Sequence, residues 1–286
     1  MDNLYVNNNG VLIPNDTYSL KAGNRARLYG DGLFETIRVI NGQPINFENH
    51  YKRLMDGAKV LKMIIHKNLT QDFLLQQINE LIEQNHITQG GKVRLSLDRK
   101  QGGTYLPKTN EVDFYIEAYQ LPHNEFILNE AGYVVDLYDD MKKPITFLSN
   151  FKTKNGLIYI LSKLTAKEKN VDDLLIQNDK LGIIEGSSSN LFVVSNGVLY
   201  TPGLDLGCLG GTMRMQIINL AIENNIKVYE CNITPQNLLV ADEVFLTNAV
   251  KGVIWVGAYR TKRYFNTMAN QFISLLNTKW NTNKMQ

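Results

Sequence analysis

Lys152 and Glu185 are the two residues of this chain whose types could do covalent and acid–base chemistry together. A lysine amine can hold an aldehyde cofactor as a Schiff base. A carboxylate can keep a proton on a pyridine nitrogen and so let the ring accept electrons. Lys152 follows Leu148-Ser149-Asn150-Phe151, and Glu185 opens the run Glu185-Gly186-Ser187-Ser188-Ser189-Asn190 ahead of an apolar stretch. A lysine and a carboxylate so placed beside regular elements point to pyridoxal phosphate chemistry.

Each half of that pair has a bland alternative. Most lysines are solvated surface residues. A lysine opening a helix, as Lys152 is expected to do, gains nothing from the dipole, which favours anions there. Glu185 could equally be the exposed end of a serine-rich turn, although small hydroxyl residues also let a flat ring approach the backbone. A third feature, Leu209-Gly210-Gly211-Thr212-Met213-Arg214, is a glycine-rich turn running into a helix. Backbone N–H groups at such a start, helped by the helix dipole, bind anions. The Gly-Lys-Ser/Thr ending of a Walker loop is absent. The fourth is His50-Tyr51-Lys52-Arg53. The Arg53 guanidinium could give a phosphate a bidentate partner, or could lie on a solvated helix face.

The elements that must position these residues follow from apolar spacing. Thr36–Ile40, the Asn41-Gly42 pair and Gln43-Pro44-Ile45 predict a hairpin. Helices are expected over Glu48–Lys62 and Phe73–Ile87, where apolar residues recur on one face. Val93, Leu95 and Leu97, and Val112, Phe114, Ile116 and Ala118, alternate as half-buried strands. Gln120–Asn124 is polar, contains a proline and predicts a linker. Beyond it, strands are expected at Tyr133–Val135, Leu174–Ile176, Leu191–Val194, Val198–Tyr200 and Val244–Leu246. A helix is expected from about Thr153, with Leu157, Ile158, Leu161 and Leu164 on one side, and another over Met213–Glu223. The pattern is α+β, with a smaller domain over 1–120 and a larger one over 121–286 that carries Lys152, each lobe a mixed sheet with helices.

The bulk composition agrees with an enzyme of ordinary type. The chain has 286 residues, 44% hydrophobic and 20% charged, with a formal net charge of +2. That balance gives no reason to expect nucleic acid or a membrane surface as partner. Two cysteines, Cys208 and Cys231, argue against a disulfide framework. Met1–Tyr5 lacks the pattern of a secretion signal, and no apolar run approaches the ~20 residues of a membrane span. A cytoplasmic protein is expected. His66, His86 and His123 have no metal-ligand spacing, so no metal is expected.

Taken in order, Tyr29-Gly30-Asp31-Gly32-Leu33-Phe34-Glu35-Thr36-Ile37-Arg38, His50-x-x-Arg53, Lys152-x-x-Asn155, Glu185–Asn190, Gly211–Arg214 and Thr247-Asn248-Ala249 resemble the class IV aminotransferases. These are the fold-type IV pyridoxal phosphate enzymes: branched-chain and D-amino acid aminotransferases and aminodeoxychorismate lyases. The resemblance covers roughly residues 5–256. It implies a two-lobed fold with the cofactor between the lobes, and Lys152 as both its covalent anchor and the proton carrier. It implies Glu185 as partner of the ring nitrogen, and Arg53, Thr212 and Met213 as phosphate ligands. Gly211, Ser189 and Asn190 are implied near the cofactor, and Asn248 and Ala249 in the loop touching phosphate and substrate carboxylate. Phe34, Arg99, Tyr105 and Asn248 are the expected substrate contacts, and a homodimer is the expected assembly.

Within the family the motifs divide. Leu157 stands where branched-chain enzymes usually have tyrosine. Lys100–Tyr105 lacks the arginine and histidine usual in the D-amino acid branch. The Lys152-x-x-Asn155 spacing looks more like the D-amino acid and lyase branches, and the Gly102-Gly103 pair with Thr247-Asn248-Ala249 looks like the lyases, yet Thr104 stands where lyases often have arginine. The sequence therefore leaves three functions open. They are an aminotransferase, a 4-amino-4-deoxychorismate lyase releasing pyruvate in p-aminobenzoate synthesis, and a cofactor-binding protein without catalysis.

Overall fold

A computed structural model of the chain describes residues 4–281. They divide into two compact units. The first runs to Glu125 and takes back Phe151–Asn155; the second holds Phe126–Asn150 and everything from Gly156. The division therefore falls five residues after the expected boundary at 120, and Lys152 belongs to the first unit rather than the second. Hydrogen bonding explains the return. Phe34 N–H donates to Lys152 O (3.0 Å), Lys154 N–H donates to Gly32 O (2.9 Å), and Thr153 bridges Leu33.

The first unit contains β1 (Tyr5–Asn8), β2 (Val11–Pro14), α1 (Arg25–Tyr29), β3 (Gly32–Ile40), β4 (Gln43–Pro44), α2 (Phe47–Val60), α3 (Gln71–Gln84), β5 (Gly91–Arg99) and β6 (Val112–Gln120). Its sheet runs β2-β1-β6-β5-β3-β4. Every named pairing is antiparallel, so the expectation of a mixed sheet does not hold here. Asn41 (φ 54°) and Gly42 (φ 70°) turn β3 into β4, as the Asn-Gly pair predicts. Asn9-Gly10 does the same between β1 and β2, with φ of 52° and 88°. Leu33, Ile37 and Val39 alternate along β3 into a core closed by Phe47, Leu54 and Ala58 of α2 and Leu74, Ile78 and Leu81 of α3. Each large side chain buried there contributes about 1.5–3 kcal/mol. Thr70 begins α3 by accepting from Phe73 N–H.

The second unit contains β7 (Tyr133–Lys143), α4 (Leu157–Glu168), β8 (Asp173–Asn178), β9 (Ile183–Gly186), β10 (Asn190–Ser195), β11 (Val198–Thr201), α5 (Thr212–Glu223), β12 (Val228–Glu230), α6 (Pro235–Val240), β13 (Glu243–Asn248), β14 (Gly252–Tyr259), β15 (Lys262–Arg263) and α7 (Thr267–Asn281). The sheet runs β12-β11-β10-β13-β14-β7-β8-β9, and its ladders are mixed. Strand β9 pairs with β10 as well as β8, through Glu185 and Asn190, and this closes part of the sheet on itself. Glu185 is thus built into a ring of strands.

Helix α4 departs from expectation. It begins at Leu157, because residues 152–154 pair with β3 instead of coiling. Its inner side is Ile158, Tyr159, Ser162 and Ala166, while Leu157, Leu161 and Leu164 are exposed. The apolar stripe read from the sequence exists, but this chain does not cover it. Among the described residues no helix is long and apolar enough to cross a membrane.

Candidate active site

In the first unit, chemistry gathers where β3 meets α2 and the returning segment. Leu33, Glu35 and Ile37 occupy alternate, inward positions of β3, so Glu35 points among apolar residues and is almost fully buried. Arg53 answers it with two bonds, Nε to Oε1 at 2.8 Å and Nη2 to Oε2 at 2.5 Å. His50, one turn earlier on α2, places Nδ1 2.6 Å from Oε2. Arg53 is therefore not on a solvated face; Glu35 fixes the plane of its guanidinium. Burial alone would raise the Glu35 carboxyl, but the Arg53 charge and the bonds from His50 and Arg53 outweigh it and hold it at about 2. Burial pushes the His50 ring below its ordinary value despite Glu35.

These shifts have a consequence in acid. A neutral His50 contributes stability above the usual 6.5, lost as pH falls below it. Ionised Glu35 contributes above 4.5, lost as pH falls toward 2, a total of about 3 kcal/mol. The melting temperature of the wild type should therefore fall more steeply than that of Glu35→Gln between pH 4.5 and 3. Parallel profiles for the two proteins would contradict the network.

Lys152 lies beside this network. Its Nζ sits 4.5 Å from the Phe34 ring centroid, and its charge is among those that lower the His50 pKa. The Arg94 guanidinium packs on the same ring at 3.9 Å. Phe34, Lys152, His50 and Arg53 are thus one neighbourhood.

Arg99 and Tyr105 are elsewhere. Arg99 is buried, with Nε on Asp31 (2.9 Å), Nη1 on Asn110 (2.7 Å) and Nη2 on Leu61 O (2.7 Å). All three of its nitrogens are engaged in holding the chain, so the expected substrate role is not supported. Arg25 reinforces the same Asp31 and ties down Gly102 and Thr104 through their carbonyls. Tyr105 is 91% exposed, with its ring against Tyr29. The groove that Arg99 and Tyr105 line has Asn155 on its wall, but neither Phe34 nor Lys152.

In the second unit, Glu185 is 4% exposed. Its Oε1 accepts from Lys143 Nζ (2.7 Å) and Tyr159 OH (2.9 Å), and its Oε2 from Leu209 N–H (2.8 Å). The exposed-turn alternative for this residue therefore fails. Gly186 N–H donates to Ser189 O, which folds the serine run back on itself. Asn190 donates from Nδ2 to Thr247 O (2.8 Å) and Oγ1 (3.0 Å), joining β10 to β13. Gly211 precedes α5, and a Cβ there would meet Asn190 Oδ1 at 2.0 Å, so the close approach requires glycine. Leu209 links this turn to Glu185, and Thr212 and Met213 form the buried first turn of α5. Asn248 accepts from Val250 and Lys251 N–H through Oδ1, which shapes the turn containing half-buried Ala249. Arg214 serves structure, bonding Pro202 O and Glu230. Burial pushes the Cys208 thiol up to about 11, so it is an inert core residue.

The profile of the amino-transferase class IV family matches residues 32–259. The chain belongs to the class IV aminotransferase family. A Methanocaldococcus jannaschii protein assigned as a branched-chain amino acid aminotransferase is 30% identical over 86% of this chain and 84% of its own. The D-alanine aminotransferase of Bacillus licheniformis is 30% identical over 86% and 85%. Among solved structures, a branched-chain aminotransferase of Thermoproteus uzoniensis superimposes with a TM-score of 0.87 at 20% identity, covering 96% of this chain and 93% of its own. A Legionella pneumophila protein assigned as a 4-amino-4-deoxychorismate lyase gives 0.82 at 24% identity, covering 92% and 96%.

Membership in the class IV aminotransferases implies pyridoxal phosphate, and the residues present fit that group. The second unit offers a buried carboxylate, a helix start made by glycine, and a buried Ser189 hydroxyl with no hydrogen-bond partner among the described residues. The first offers an amine and a fixed guanidinium.

Sequence reasoning missed four neighbours of these residues. Glu35 had a signal, a charge at an inward position among Leu33, Ile37 and Val39. Lys143 and Tyr159 had none, because they reach Glu185 from 42 and 26 residues away. Arg94 sits opposite Thr36 and reaches the Phe34 ring diagonally, a contact set by strand register.

Proposed function

We propose that this class IV enzyme is a pyridoxal phosphate-dependent aminotransferase that moves an amino group from an amino acid to a 2-oxo acid. Lys152 would hold the cofactor covalently through its amine. Glu185 would take the ring nitrogen, and Arg53 with the first turn of α5, Thr212 and Met213, would take the phosphate. When bound, the cofactor supplies an electron-accepting ring that stabilises negative charge at the substrate carbon. Lys152 Nζ would accept the Cα proton of the amino acid and return one later in the exchange. Glu185 would keep a proton on the ring nitrogen by opposite charge. Ser189, Asn190 and Gly211 would let the ring lie close to the backbone, and Phe34 would meet the substrate. Asn248 and Ala249 would border phosphate and substrate carboxylate.

The observation that carries this reading is Glu185. It is a buried carboxylate whose Oε1 accepts from Lys143 and Tyr159 and whose Oε2 accepts from Leu209 N–H.

The second reading, a 4-amino-4-deoxychorismate lyase, draws on Lys152-x-x-Asn155, Gly102-Gly103 and Thr247-Asn248-Ala249. One assay separates the two. The protein with pyridoxal phosphate is given L- and D-amino acids with 2-oxoglutarate or pyruvate, and separately aminodeoxychorismate. Amino exchange is expected. Pyruvate and p-aminobenzoate without exchange would reverse the order of the two readings.

We also propose a homodimer in a reducing, cytoplasmic setting. Support comes from the uncovered stripe Leu157, Ile160, Leu161 and Leu164 on α4, together with 74%-exposed Phe147. Light scattering should give twice the chain mass, and Leu161→Glu with Leu164→Glu should give monomers. A monomeric wild type would end the proposal.

A further inference from the structure

We infer that Lys143 and Tyr159 are positioning residues that hold Glu185 ready for the cofactor ring, with the Lys143 ammonium as its counter-charge until a cationic ring shares that role. The inference rests on the ring-nitrogen role proposed for Glu185. Lys143 closes β7, and its Nζ bonds Glu185 Oε1 at 2.7 Å and Ser149 O at 3.2 Å. Tyr159, in the first turn of α4, donates to the same Oε1 at 2.9 Å, and its ring centroid lies 5.7 Å from Lys143 Nζ. Burial first, then the Glu185 charge and hydrogen bond, push the Tyr159 hydroxyl far above its ordinary range, so it remains a donor.

The two carboxylate oxygens are not equivalent. A carboxylate oxygen has room for about two donors. Among the described residues Oε1 has both, whereas Oε2 has only Leu209 N–H. Oε2 is therefore the oxygen that can take a ring N–H, and the Oε1 donors prevent the carboxylate from turning over. The pair is well buried, with side-chain exposures of 11% for Lys143 and 5% for Glu185. Removing one partner of such a pair strands the other charge in a medium that solvates it poorly. A bound pyridinium would supply a replacement charge, so the cost of losing Lys143 should depend on whether the cofactor is present.

The test is the melting temperature of Lys143→Gln and Lys143→Arg, each without cofactor, with saturating pyridoxal phosphate, and with inorganic phosphate. Glutamine keeps a donor and loses the charge. Lys143→Gln should melt about 5–10 °C below wild type without cofactor. With pyridoxal phosphate the deficit should shrink to less than half. Inorganic phosphate, which brings no ring cation, should leave the deficit unchanged. Lys143→Arg should stay close to wild type throughout. An equal deficit with and without pyridoxal phosphate, in a wild type that binds the cofactor, would make Lys143 merely structural and overturn this inference alone. A wild type that pyridoxal phosphate neither colours nor stabilises would overturn the reading of the site and this inference with it.

Discussion

Lys152→Ala should lower kcat by about 10⁴-fold or more while the protein still folds and still takes up pyridoxal phosphate. The loss is large because one amine is proposed for two tasks, the covalent hold and the proton transfer. Folding should survive because residues 152–154 are held by backbone bonds to Phe34 and Gly32, which alanine keeps. The side chain itself packs on the Phe34 ring, so its removal exposes little. Cofactor uptake should survive because Glu185, Arg53 and the start of α5 are untouched. The checks are steady-state kinetics on the best amino acid from the panel, and absorbance of the protein after gel filtration with cofactor. Activity within tenfold of wild type would remove Lys152 from the reaction.

Glu185→Gln carries the second largest effect, a fall in kcat of about 10²–10³-fold. An amide is nearly the same size as the carboxylate, so packing is preserved. It cannot satisfy the same neighbours, however. Lys143 and Tyr159 donate to one oxygen and Leu209 N–H to the other. Whichever way the amide turns, its NH₂ faces a donor. The variant also lacks the negative charge that would favour a proton on the ring nitrogen. A lower melting temperature and a lower rate should therefore appear together, with cofactor retained through its phosphate. An unchanged rate would remove the ring-nitrogen role and leave Glu185 as a structural anchor for β9.

Much of this arrangement was legible before any coordinates. Asn41-Gly42 announced a hairpin because its backbone needs positive φ, and the structure has 54° and 70° there. The helical spacing of α2 and α3 was clear because both lay one apolar face on the sheet. Lys152 and Glu185 stood out because few side chains can do their chemistry. The failures have physical causes as well. The apolar run Leu157–Leu164 signalled a helix, but periodicity cannot say what covers a face, and α4 leaves much of its stripe exposed. Its start was placed too early because the backbone of 152–154 pairs with β3, a choice made by a distant strand. The Asn9-Gly10 turn carries the same Asn-Gly signal as Asn41-Gly42, with φ of 52° and 88°. Arg99 is an expected substrate contact, yet Asp31, Asn110 and the Leu61 carbonyl engage it. Residue type proposes chemistry; only the neighbours decide whether a charge is available for it.

The most direct measurement is chemical. Holoprotein is reduced with borohydride, digested and mapped by mass spectrometry for a pyridoxyl-modified lysine. Four candidates lie close in sequence, and each has a distinct setting. Lys142 and Lys143 bond Gln177 and Glu185, Lys154 pairs with Asp98, and Lys152 packs on Phe34. The account predicts stoichiometric modification of Lys152 alone. Modification at Lys143, at Lys154, or at no lysine would contradict it.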